Sequence, residues 1–201
     1  MSKSCQYYFA PHSPWAYLGH ERFVALCRRH GVAIDLRPLD LGKVFATSGG
    51  LPLAKRPPQR QAYRLTELAR WSAYLGIPLK PQPTYSPVSP EAAAKLIVAA
   101  RLGHGVEQAL ALAGAIMRGL WAEDRNIGDE ATLAAIANDC GVDGAQLLKS
   151  SQTASVQAEY DRNTDEAMAA SVFGSPWYVY QGESFWGQDR LDFLERAITG
   201  Q

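Results

Sequence analysis

The sequence predicts an α/β fold, a four-stranded mixed sheet interrupted by a run of helices. Three observations carry this. The chain opens with a short aromatic run from Cys5 to Phe9, a helical period and a second short alternating run, which is a βαβ order. It closes with two short aromatic runs about a Gln181-Gly182 turn and a last helical period, a ββα order. Between the two ends, residues 41–152 carry Ala-rich helical periods and no strand signal.

The elements follow in order. Cys5 to Phe9 is β-favouring and runs into Ala-Pro-His-Ser-Pro-Trp at 10–15, a strand meeting a turn. From Pro14 to His30 the apolar residues Trp15, Leu18, Phe23, Leu26 and Cys27 recur at helical spacing, and Gly31 stops the helix. Ser13 is a candidate N-cap and Pro14 occupies a first helical position that tolerates proline. Val32 to Leu36 reads as a second strand, parallel to the first across a right-handed crossover. Residues 40–58 are expected to be loop, punctuated by Ser48-Gly49-Gly50-Leu51-Pro52 and Lys55-Arg56-Pro57-Pro58. Helices are expected over Gln59 to Leu75, Pro90 to Leu102, Val106 to Glu123 and Asp129 to Cys140, with a short one through Leu148 and Lys149 and a further one from Thr153 to Ala170. Pro-rich residues 78–90 separate the first two. Trp177 to Tyr180 and Ser184 to Trp186 form the closing hairpin, and Gln188 to Ile198 the terminal helix. This is a thioredoxin-like order. The expected division places residues 1–40 and 171–201 in a thioredoxin-like domain, joined by the helix at 153–170, and residues 41–152 in a helical insertion.

Composition narrows the function. The 201 residues are 47% hydrophobic and 20% charged, the balance of an ordinary globular chain and not a disordered one. Twenty Lys and Arg offset twenty Asp and Glu, so no net basic field is available for nonspecific nucleic-acid or anionic-membrane binding. No apolar run approaches a membrane span, and Met1 to Tyr7 lack the pattern of a secretory signal, so a cytoplasmic protein with a small-molecule partner is expected. Cys5, Cys27 and Cys140 are far apart and form neither a Cys-x-x-Cys pair nor a ligand cluster. His12, His20, His30 and His104 are scattered, surface or core histidines without a metal signature, and no metal site is expected. A nucleophile elbow, a Walker loop and a dinucleotide fingerprint are all missing.

The chemistry is expected where the first strand meets the first helix. A helix N-terminus gathers unpaired N–H groups and positive dipole potential, and a thiolate placed there is stabilised. Ser13 carries no thiol, but its hydroxyl could donate to the sulfur of another molecule; it could equally be an ordinary N-cap. Ser175-Pro176 precedes a strand and is a candidate cis peptide bond, which would leave the Ser175 N–H and C=O free to pair with an extended peptide. Gly187-Gln188-Asp189-Arg190 opens the last helix, either a plain helix start or an anion site in which Asp189 accepts from an ammonium group.

Ser-Pro-Trp-Ala-Tyr-Leu-Gly at 13–19 resembles a motif of the 2-hydroxychromene-2-carboxylate isomerases and kappa-class glutathione transferases. The likeness extends through Phe45 to Pro78, Leu120 to Ile127, Val172 to Pro176 and Phe185 to Leu191, so it covers nearly the whole chain. It implies the DsbA-like arrangement, a thioredoxin domain with a helical insertion, and glutathione as cofactor. By resemblance the glutathione sulfur lies at Ser13, its cysteinyl backbone against Ser175 before Pro176, and its γ-glutamyl end at Gln188 and Asp189. A basic residue that contacts glutathione in kappa enzymes falls closest to Arg60, with Lys55 as a rival. The kappa asparagine falls near Gly50, which has no side chain to offer. His12 and Ser175 also depart from the pattern, which has apolar residues there. The implied activity is isomerisation of 2-hydroxychromene-2-carboxylate to trans-o-hydroxybenzylidenepyruvate in aromatic degradation, such as that of naphthalene. A kappa-like transferase or peroxidase and a catalytically silent binding domain are the alternatives. A homodimer is plausible from the family, and Trp15, Tyr63, Tyr85 and Trp121 are candidate aromatic walls of a substrate pocket.

Overall fold

A computed structural model describes residues 3–201. Strand β1 (Ser4–Phe9) leads through helix α1 (Pro14–Arg29) to β2 (Ala33–Pro38), and β1 pairs parallel to β2 with Tyr7 opposite Leu36. Helices α2 (Leu41–Ser48), α3 (Pro58–Leu75), α4 (Glu91–His104), α5 (Val106–Trp121), α6 (Glu130–Asp139), α7 (Gly144–Ser151) and α8 (Ala154–Ala169) follow. The chain then returns as the hairpin β3 (Trp177–Tyr180) and β4 (Glu183–Trp186) and ends in α9 (Leu191–Thr199). The four strands lie in the order β2-β1-β3-β4, with β3 antiparallel to both its neighbours. This is the thioredoxin-like mixed sheet that the element order implies.

Period-two alternation along the strands divides the core between the two faces of the sheet. Cys5, Tyr7 and Phe9 point to one face with Leu36, Tyr178 and Tyr180, and there join side chains of α1, α4, α5 and α9 in one continuous apolar cluster. Tyr7 anchors it, stacking on Phe9 at 4.6 Å and on Tyr178 at 5.4 Å between ring centroids. Tyr8, Ala10 and Trp177 point to the other face, onto Leu39, Val44, Ala167 and Val172.

Beyond offsets of one or two residues at element ends, three segments differ from expectation. Residues 41–48, expected as loop, form α2: the Asp40 carboxylate accepts from the Gly42 and Lys43 N–H groups at 2.8 and 3.1 Å, Val44 is buried under the sheet, and Gly49 at φ 74° ends the helix. A 3-10 turn at Leu53–Lys55 follows. The terminal helix begins at Leu191 and not at Gln188, because Gln188–Arg190 make a 3-10 turn first. The Gln181-Gly182 turn has positive φ at both residues, 51° and 86°, the geometry a two-residue hairpin loop needs.

Glycines set two close approaches. A Cβ on Gly19 would stand 2.8 Å from Gln188 Cβ and 3.0 Å from the Tyr178 hydroxyl, so this motif glycine lets α1 lie directly on the 188–190 turn. A Cβ on Gly114 would meet Glu21 Oε1 at 2.6 Å, so a second glycine seats α5 against α1. No helix among the described residues is long and apolar enough to cross a membrane.

Candidate functional site

The site grows from the end of β1. Ala10 accepts from the Ser13 N–H at 2.9 Å, which closes a tight turn and places Ser13 as the N-cap of α1 with Pro14 at the first helical position. The Ser13 hydroxyl accepts from the Ala16 N–H at 3.2 Å and donates to the Ser175 carbonyl at 3.1 Å. Ser175 Oγ in turn accepts from the Ala10 N–H at 2.9 Å, so the 175–176 segment is fastened to both sides of the turn. The Ser175–Pro176 peptide bond is cis, and both serines are buried. The Pro176 carbonyl accepts from the Gly187 N–H at 3.0 Å, which brings in the start of the last helix. Gly187 sits at φ 103°, where a Cβ would stand 2.5 Å from Asp189 Oδ1.

The structure thus gathers Ser13, Ser175, Pro176, Gln188 and Asp189 through one hydrogen-bonded chain. One expectation is corrected within it. The Ser175 carbonyl is not free, because the Ser13 hydroxyl occupies it. The buried Gln188 amide oxygen accepts from Arg22 at 2.6 Å, so this side chain faces α1. Asp189 is exposed and pairs with Arg190 at 2.8 Å. Lys55 and Arg60 are also exposed, and among the described residues no hydrogen bond joins either to Ser13 or Ser175. Of the candidate aromatic walls, Trp121 is 1% exposed and belongs to the core, whereas Tyr63 and Tyr85 stand largely in solvent and Trp15 is half-buried.

Burial disfavours the thiolate of each of the chain's three cysteines. It raises the Cys27 thiol to about 12 and holds Cys5 and Cys140 above the ordinary range as well. The histidines separate by environment. His20 is a core residue: its Nε2 donates to the Leu110 carbonyl at 3.0 Å, which leaves Nδ1 to accept from the Tyr7 hydroxyl at 3.3 Å. His30 lies 2.7 Å from Glu195, and His104 is exposed. Among the described residues no three His, Cys, Asp or Glu side chains stand together as a metal-holding group.

Two residues belong to this region that sequence reasoning did not single out as ligand-binding. His12, next to Ser13, has a buried Nδ1 with no hydrogen-bond partner. Burial pushes its imidazole down to about 4, with the Arg64 charge lowering it further and Asp40 opposing, so the ring is neutral at pH 7. Arg64, half-buried on α3, lies over the Trp121 ring at 5.7 Å and is pushed down to about 10 by burial and by the Arg56 charge. It lines a cleft of about 150 Å³ with Leu53, Gln61, Leu65 and Pro81, between the start of α3 and the Pro-rich segment. The signal available in sequence was the spacing of Arg56, Arg60 and Arg64 at every fourth position.

Comparison with known proteins accords with this architecture. The family model of the DSBA-like thioredoxin domain matches residues 6–199. A protein of Sphingobium xenophagum named 2-hydroxychromene-2-carboxylate isomerase is 30% identical, over 98% of this chain and 99% of that one. A Caenorhabditis elegans protein named glutathione S-transferase kappa 2 is 28% identical, over 98% of this chain and 94% of that one. A solved structure of 2-hydroxychromene-2-carboxylate isomerase superimposes with a TM-score of 0.83 at 25% identity, covering 98% of this chain and 95% of that one. A match that spans almost the whole chain, together with a relative at 30% identity end to end, settles the family: the chain belongs to the DSBA-like thioredoxin domain family.

Proposed function

We propose that the protein is a glutathione-dependent isomerase that interconverts 2-hydroxychromene-2-carboxylate and trans-o-hydroxybenzylidenepyruvate. One observation carries the reading. A helix N-terminus suited to a thiolate is capped by Ser13 in a chain whose own three thiols are all held protonated by burial, so thiol chemistry at this point needs a thiol from outside. The relatives named as isomerases and as a kappa glutathione transferase support that choice.

The residues present fit such a group. The first turn of α1 holds no acidic side chain to oppose an anion. When bound, glutathione supplies a thiol that adds to and departs from the conjugated carbon chain, so that the intervening bond can rotate. The protein's part begins with the Ser13 hydroxyl. Turning its O–H away from the Ser175 carbonyl frees a donor for a sulfur anion and, in the same motion, a backbone acceptor for a peptide N–H. The Ala16 N–H holds Ser13 Oγ in place throughout. Asp189 is exposed on the turn that Gly187 ties to Pro176, where it can take an ammonium group in exchange for Arg190. Neither Gln188, engaged by Arg22, nor Lys55 is needed for this reading, and Arg60 supplies positive charge from the first turn of α3.

The kappa-type relative favours a second reading, a transferase that consumes glutathione. One experiment separates them. Purified protein is given the hydroxychromene with glutathione at a hundredth of the substrate concentration, and the absorbance of the conjugated product and the free thiol are followed together. Conversion that runs on to equilibrium, far beyond one turnover per glutathione, with the thiol conserved supports the isomerase. Conversion that stops when the thiol is exhausted supports the transferase, and an unchanged spectrum removes both.

A further inference from the structure

The charges around the cleft are unbalanced. Arg56, Arg60 and Arg64 follow one another at every fourth residue, and the shifts of Arg56 and Arg64 have the same causes, burial and a neighbouring arginine, with no carboxylate among them. The acid closest to Arg64 along α3, Glu67, is taken by Arg70 at 2.6 Å. Arg56 spends its Nε–H on the Leu51 carbonyl at 2.8 Å and lies over the Phe45 ring. Arg64 lies over the Trp121 ring, and among the described residues no hydrogen bond or ion pair engages its guanidinium. A half-buried guanidinium without a counter-ion is costly, and a cation–π contact consumes none of its N–H donors, which stay available to pair with a planar carboxylate. His12 adds the complement: a neutral ring whose buried Nδ1 lacks any partner, close enough to Arg64 to feel its charge. A half-buried cationic fork at the cleft and a buried neutral ring nitrogen beside Ser13, neither with a hydrogen-bond partner among the described residues, together describe what would satisfy them.

We propose that Arg64 and His12 form a subsite for an α-hydroxy carboxylate, with the carboxylate on the Arg64 fork and the neighbouring hydroxyl donating to His12 Nδ1. This deepens the isomerase reading and rests on it for the identity of the substrate, whose hydroxyl and carboxylate share one carbon. Arg64 is then a specificity-determining residue. His12 holds the hydroxyl whose proton must leave when the ring opens.

The test uses binding, so that it stands apart from turnover. The probes are 3-phenyllactate, its methyl ester and 3-phenylpropionate, followed by quenching of tryptophan fluorescence, because Trp121 lies under Arg64. The wild type is expected to bind phenyllactate at least tenfold more tightly than the ester and several-fold more tightly than phenylpropionate. Arg64→Leu erases the first preference, Arg64→Lys keeps part of it, and His12→Leu erases only the second. The thermal shift given by glutathione is unchanged in all three variants. Because Arg64→Leu removes an unpaired, partly buried cation, the folded variant should melt no lower than the wild type. Equal binding of acid and ester by the wild type overturns the proposal. So does an Arg64→Leu variant that loses its glutathione shift yet still prefers the acid, which would assign Arg64 to the tripeptide. Arg64-dependent acid binding in a protein that never turns over the hydroxychromene leaves the subsite standing and removes the isomerase reading.

Discussion

Ser13→Ala tests the central hydrogen-bond chain in two separable ways. The substitution deletes the oxygen that accepts from Ala16 N–H and the proton that the buried Ser175 carbonyl receives. Loss of a serine N-cap costs about 1 kcal/mol, and loss of the donor to a buried carbonyl about 1 kcal/mol more. For a domain of this size 1 kcal/mol moves the melting temperature by about 2–4 °C, so the ligand-free variant should melt about 4–8 °C below the wild type. The second effect needs glutathione. At a hundred times the wild-type Kd the ligand adds about 2.7 kcal/mol to stability, and a tenfold weaker complex at the same concentration adds about half as much. A charge-assisted hydrogen bond from Ser13 to sulfur is of the size that produces a tenfold loss. Thermal unfolding by circular dichroism, with and without glutathione, reads both effects. A variant that melts with the wild type and gains the full ligand shift would refute the hydrogen-bond chain and the role built on it.

Three further outcomes follow from the same structure. Gly19→Ala places a methyl group 2.8 Å from Gln188 Cβ and 3.0 Å from the Tyr178 hydroxyl, and should cost about 1–3 kcal/mol in urea unfolding; a neutral result would mean that α1 does not lie directly on the 188–190 turn. His12 is held at about 4 in the folded protein, below the roughly 6.5 of an unfolded chain, so between these values the unfolded state binds the extra proton and stability falls as pH falls, by up to about 1.4 kcal/mol per pH unit. His20 is also lowered, so His12→Leu should flatten that slope without abolishing it, and an unaltered slope in denaturant titrations from pH 7 to 4 would count against the buried neutral ring. Ellman's reagent should label neither Cys5 nor Cys27 rapidly in the native protein at pH 7, leaving at most the half-buried Cys140 to react, and should label all three after unfolding; more than one fast native thiol would reopen chemistry by the chain's own cysteines.

The sheet was legible because its strands announce themselves twice, by aromatic and β-branched residues and by turns with special backbone needs. Gln181-Gly182 names its own hairpin, and Cys5 to Phe9 alternates between two cores that the fold keeps apart. Helix α2 was not legible. Eight residues between glycine and proline punctuation hold too few turns to show a period, and a single buried side chain, Val44, anchors it. Its Asp40 cap and Gly49 stop were present but read as loop chemistry, which uses the same residues. The helices between β2 and β3 were, α2 apart, readable as helices, whereas their joint core with the sheet depends on contacts such as Gly114 on α1 that no local period encodes.

The site divides in the same way, and the division has a physical origin. Ser13, the cis bond before Pro176 and the turn at Gly187 are backbone devices, and backbone devices leave residue types behind. Arg64 and His12 matter for what is missing around them. Glu67 sits one helical turn from Arg64 and by sequence spacing would neutralise it, but in the fold it pairs with Arg70. Elsewhere the chain matches its charges: Arg37 with Asp35 and Glu166, Arg101 with Glu159, Lys80 with Asp124 at 2.7 Å. A formal net charge of zero therefore conceals a local surplus, since Arg56, Arg60 and Arg64 collect around the start of α3 while the nearby Glu67 is engaged by Arg70. Composition shows no net basic field, yet it averages away this local surplus, which chemistry with anionic ligands would need. The affinity for an acidic probe should accordingly weaken as salt rises, while that of its uncharged ester should not.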